Sequence, residues 1–167
     1  MRRFLSLTAA VVTVALATNV VFAASDRGVR TIGDEIVIPN TMIQATIRFQ
    51  PGMIRVASGE EVTWTHDDRT TAPHTVTVVA EFPEPTADGI FGCGAPGEPC
   101  DVALTAHFAG GFNPVVEAGG PGLDAPGDSL FFGDDESISA DVTAPAGSRL
   151  LYLCAIHPWM QGEINVR

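Results

Sequence analysis

The chain has 167 residues, enough for one domain with a leader or tail, and its 46% apolar share is ordinary for a globular core. Seventeen glycines and twelve prolines favour short strands and turns over long helices. Twenty acidic residues stand against nine arginines and no lysine, which argues against nucleic acid as a partner, because phosphate repels such a surface.

The first 23 residues read as a secretory signal peptide. Arg2 and Arg3 give a positive start, Phe4 to Phe22 is a largely apolar run, and Val21-Phe22-Ala23 offers a small-x-small cleavage site before Ala24. An uncleaved membrane anchor is the competing reading, since the run is nearly long enough to span a bilayer. Either way the domain is expected outside the cytoplasm, in a periplasmic or extracellular space. After cleavage no stable membrane insertion is expected. Loss of Arg2 and Arg3 leaves seven arginines against twenty acids, a net charge of −13. That charge keeps a domain soluble and monomeric, and it steers it toward basic partners.

Residues 24–33 are expected to form a flexible lead-in, and residues 34–167 the domain proper. Strand patterns occupy Glu35–Ile38 and Met42–Phe49 around a Pro39-Asn40 turn, then Met53–Val56 after Pro51-Gly52. Glu61–His66 alternates, with Val62 and Trp64 on one face. Asp67–Pro73 reads as a solvated polar loop, and His74–Val79 as the next strand. Residues 82–128 are rich in Gly and Pro and are expected to be a long irregular insertion, packed on the body through Phe108, Phe112, Val115 and Val116. Strands return at Ser137–Val142, Arg149–Cys154 and Glu163–Val166. No repeat and no amphipathic helix is evident. Seven or eight short strands between turns predict an all-β, Greek-key β-sandwich, with Val62, Trp64, Val76, Val78, Leu151 and Leu153 pointing into its core.

The cysteine count is odd. Cys93 and Cys100 flank a short Gly/Pro loop and should pair as a disulfide in an oxidising compartment. Cys154 is left over, and an exported protein needs a use for a free thiol. The stretch Cys154-Ala155-Ile156-His157-Pro158-Trp159-Met160 supplies one, because thiol, imidazole and thioether fall at i, i+3 and i+6 between two strands. His74, at the start of an earlier strand, offers a second imidazole. A thiolate and two imidazoles with a weak axial thioether suit copper in both oxidation states. Gln161 is an alternative axial ligand, through oxygen. The remaining histidines, His66 and His107, are expected to face solvent or serve structure.

This segment resembles the copper loop of the cupredoxins, the small blue-copper proteins, and is most like the amicyanin, pseudoazurin and plastocyanin branch. Val56-x-x-Gly59-Glu60-x-Val62-x-Trp64, followed by Pro73-His74-Thr75-Val76, is similar to that family's central strands and first ligand. The likeness covers roughly residues 43–79 and 137–167. It implies one copper ion held by His74, Cys154, His157 and Met160, cycling between Cu(I) and Cu(II). It also implies a non-enzymatic electron carrier that meets a redox protein at the edge of His157, beside Pro158 and Trp159. Copper storage or delivery is the alternative with the same ligands. An oxidase or nitrite reductase would need more histidines than the four present. Where many relatives carry asparagine after the first histidine, this chain has Thr75, which leaves the hydrogen bonding of the thiolate open.

Overall fold

The computed structural model describes residues 27–167; the expected leader and residues 24–26 lie outside the described residues. In chain order the elements are β1 (Gly28–Ile32), β2 (Glu35–Ile38), β3 (Met42–Ala45), β4 (Arg48–Gln50), β5 (Met53–Val56), β6 (Glu60–His66), β7 (His74–Val79), α1 (Ala87–Gly92), α2 (Pro99–Phe108), β8 (Val115–Val116), β9 (Ser129–Phe132), β10 (Ser137–Val142), β11 (Arg149–Leu153) and β12 (Gln161–Val166).

One sheet has the order β10-β6-β1-β4 and the other β5-β12-β11-β7-β9-β8, while β2 and β3 form a separate hairpin. The two sheets enclose one core. Val29, Phe49, Val62, Trp64 and Val142 come from the first sheet, and Val56, Val76, Val78, Phe132, Leu150, Tyr152 and Ile164 from the second. The Tyr152 ring bridges the layers, 5.0 Å from Phe49 and 6.0 Å from Trp64 between centroids. The all-β sandwich expected from the strand pattern is therefore present. No helix among the described residues is long and apolar enough to cross a membrane.

Three expectations need correction. Residues 28–32 are not a lead-in. They form β1, which runs parallel to β6 and antiparallel to β4, with Val29 and Thr31 fully buried. The 82–128 segment is not irregular throughout either. Thr86 caps α1 by accepting from the Gly89 amide, Pro99 opens α2 where a missing N–H costs nothing, and the Cys93–Cys100 disulfide ties the two helices together. Asp128 accepts hydrogen bonds from the amides of Ala118, Gly119, Asp124 and Ala125, gathering the glycine-rich end of the segment around one buried carboxylate. Phe108 and Phe112 reach the body edge-on at Phe131 of β9, with centroids 5.8 and 5.1 Å away, although both stay largely exposed.

The third correction concerns the face of β11. Leu150 and Tyr152 point into the sandwich, whereas Leu151 and Leu153 pack on the opposite side with Val79, Cys93, Cys100 and Ala103. The insertion roofs the outer face of this sheet, so every residue of β7 is buried. A strand covered on both faces loses the alternation that would tell its two sides apart.

Close approach explains one glycine. Gly162 stands opposite Tyr152 in the β11–β12 ladder, and a Cβ there would run into the Tyr152 ring. Gly162→Ala should therefore cost about 1–3 kcal/mol by overpacking, read as a lower urea midpoint; an unchanged midpoint would show that the ring moves aside freely.

Candidate metal centre

His74 opens β7, directly after the polar loop 67–73, and pairs with Phe132 of β9. Cys154 follows β11, and the β11–β12 ladder closes at Leu153 and Gln161. The seven residues between are drawn tight by two further bonds: the Cys154 amide donates to the Met160 carbonyl at 3.0 Å, and the Met160 amide to the His157 carbonyl at 2.8 Å. Pro158 fixes its own φ within this loop.

Three donor atoms meet as a result. Nδ1 of His74 and Nδ1 of His157 are 3.2 Å apart, and Cys154 Sγ lies 3.7 Å from the first and 3.6 Å from the second. His74 and Cys154 have no exposed surface, and His157 keeps 7%. Met160 is fully buried in the same core cluster as Cys154. Gln161 is half-buried and donates its side-chain amide to the Pro158 carbonyl. The Trp159 ring stands 5.2 Å from that of His157.

Burial sets the protonation of these groups. It is the main cause lowering His74 to about 4, against the opposing pull of Asp68, and it lowers His157 as well. Both imidazoles are thus neutral near pH 7 and free to donate a lone pair. Burial also pushes the Cys154 thiol up, so it ionises readily only when a cation binds beside it.

The sulfur's own hydrogen bond comes from the backbone. The Thr75 amide donates to Cys154 Sγ at 3.3 Å, so the donor survives the absence of asparagine at this position. The Thr75 hydroxyl does different work, accepting from the Ala155 amide at 2.7 Å. It also begins a buried chain: Thr75 to Thr77 at 2.9 Å, Thr77 to Ser129 at 2.8 Å, and Ser129 to Nε2 of His107 at 2.8 Å. Nδ1 of His107 faces the Asn113 carbonyl at 2.7 Å and must donate to it. Nε2 is then the acceptor, which orients every hydroxyl proton in the chain toward α2. His107 is thus fully buried and structural.

His66 is also buried, and its Nε2 donates to the Ala72 carbonyl at 3.1 Å. The Asp67–Pro73 loop departs from the expected solvated turn, because the Asp68 side chain has no exposed surface and its Oδ2 accepts from Nε2 of His74 at 2.8 Å. Burial alone would raise the Asp68 carboxyl, but hydrogen bonds from Thr31 and Thr70, with His74 beside it, outweigh burial and lower it to about 2. Sequence reasoning missed Asp68. The signal available was chemical: a ligating imidazole needs an acceptor for its other nitrogen.

No family model matches the chain, and no curated protein matches it. Solved structures similar to it include cupredoxins. A purple cupredoxin from Nitrosopumilus maritimus is 15% identical, covers 85% of this chain and 100% of its own, and has a TM-score of 0.43. Auracyanin A, a "blue" copper protein from Chloroflexus aurantiacus, is 20% identical over 84% of this chain and 98% of its own, with a TM-score of 0.46. A Roseiflexus castenholzii auracyanin is 18% identical over 87% and 99%, also with a TM-score of 0.46.

Two outcomes follow from the hydroxyl chain. Thr77→Val should cost about 1–3 kcal/mol, because it leaves the buried Thr75 hydroxyl proton without an acceptor and Ser129 Oγ without its donor; urea unfolding measures this, and a neutral result would mean the chain is not formed. Burial lowers His107 below its usual value of 6.5. The unfolded chain therefore takes up a proton first, and stability present above pH 6.5 is lost as pH falls below it. His107→Gln should weaken the protein at pH 7 yet show a smaller further loss at pH 5, and an equal loss in both proteins would remove His107 from the pH response.

Proposed function

We propose that this chain is a cupredoxin: an exported, non-catalytic carrier of single electrons that holds one copper ion on His74, Cys154, His157 and Met160. One observation carries the reading, the buried triangle of two imidazole nitrogens and one sulfur with edges of 3.2–3.7 Å. The fit is good. An ion centred in such a triangle stands about 2 Å from each corner, the range of metal–imidazole bonds. The donor set of two nitrogens, a thiolate and a thioether is the one that suits copper in both oxidation states.

Bound there, copper supplies a one-electron Cu(I)/Cu(II) couple. The protein's part is to keep the donors still. His74 is fixed by the β7 ladder, and the Cys154–Met160 loop by its own closing bonds and by Thr75. Little rearrangement is then needed when the charge on the site changes. His157 retains the one exposed edge among the three convergent donors, and it is the natural exit for an electron. A chain with twenty acids and seven arginines outside its leader suits a basic redox protein as the partner, met by a monomer.

The purified chain should take up one Cu(II), gain an intense visible absorption, and cycle reversibly by one electron. Cys154→Ser should abolish the absorption. A colourless Cu(I) that resists oxidation would overturn the carrier reading and point instead to copper storage or delivery.

A further inference from the structure

Asp68 lies in the loop between β6 and β7, with its side chain wholly out of solvent. Its hydrogen bonds are all received. Oδ1 accepts from the Thr70 amide at 2.9 Å and from the Thr70 hydroxyl at 2.7 Å, while Oδ2 accepts from Nε2 of His74 at 2.8 Å. A carboxyl surrounded only by donors is a carboxylate. The basic side chains it meets among the described residues are imidazoles alone, His74 and, at 3.8 Å, His66.

Two consequences follow. With its proton committed to Asp68 on Nε2, His74 presents a bare Nδ1 to Cys154 and His157, so the ligand tautomer is set before any ion arrives. A buried negative charge also stands one imidazole away from the ion. It stabilises the more positive oxidation state more strongly, because little solvent screens it. We propose that Asp68 is a positioning residue that presets the tautomer of His74 and lowers the reduction potential of copper bound at this centre. The inference rests on the copper reading above.

His66, Asp68 and His74 also have ligand atoms within 4.8 Å of one another, the spacing of a second cation site. Their hydrogen bonds oppose that use. Nε2 of His66 is committed to the Ala72 carbonyl and Nε2 of His74 to the carboxylate, so the trio forms a closed wall behind the ligand.

The test compares the copper-loaded chain with Asp68→Asn, Asp68→Ala and, as a control for lost charge, Asp88→Asn at an exposed position of α1. Asp68→Asn should keep one copper and the visible band while its potential moves to a more positive value. Asp68→Ala should also bind Cu(II) about 10- to 100-fold more weakly. Asp88→Asn should match the wild type. Imidazole nitrogen NMR of the metal-free wild type, which needs no variant to fold, should show His74 protonated on Nε2 and bare on Nδ1. The inference is overturned by the opposite tautomer, by an unshifted potential in Asp68→Asn, by an equal shift in Asp88→Asn, or by a second metal ion per chain that Asp68→Asn loses. A wild type with no visible band and no reversible couple would instead sink the copper reading itself.

Discussion

Everything at this centre depends on a reciprocal pair of hydrogen bonds between β7 and the loop that follows β11. The Thr75 amide donates to Cys154 Sγ, and the Ala155 amide donates back to the Thr75 hydroxyl. Together they pin the sulfur-bearing loop to the strand that carries His74. Without them the β11–β7 ladder, which ends at Leu153, and core packing would be all that ties the loop to this strand, and the donors would approach each other with more freedom. The bonds are buried, so water does not compete for the donors, and breaking either one leaves a stranded polar group.

The insertion belongs to the same construction. It roofs the outer face of the six-stranded sheet through Cys100, Ala103 and the disulfide, and it places His107 at the end of the hydroxyl chain that begins at Thr75. A sheet face that would otherwise be wet becomes a second interior. Polar side chains on that face, Thr75, Thr77 and Ser129, must then satisfy one another. The chain of hydroxyls is the outcome, and it passes the constraint of α2 inward to the loop beside the sulfur.

On the other side of His74 the Asp67–Pro73 loop plays the matching part. Thr70 holds the Asp68 carboxylate, and the carboxylate holds the imidazole. His74 is thereby held through Nε2 toward the loop, which leaves Nδ1 turned toward the site. His157 has no such counterpart described and keeps a small exposed edge. The two imidazoles divide the labour of rigidity and access.

Much of this was legible in the residues. The strand alternation around Val62 and Trp64 specified a sandwich face, because a period of two has only one reading when one side is wet. The spacing of Cys154, His157 and Met160 pointed to a soft metal, because donor chemistry is local. What stayed hidden was whatever depends on which segments come to lie together. Strand β1 looked like a loose lead-in because its burial is supplied by β4 and β6, distant in sequence. Asp68 looked like part of a solvated turn because only the folded loop turns it toward His74. The face of β11 was misjudged because the insertion's packing buries both sides. Local chemistry thus indicated the kind of site proposed, since side-chain donors are written residue by residue. Tertiary structure decided its surroundings, since burial, partner and protonation belong to neighbours that no single stretch of chain contains.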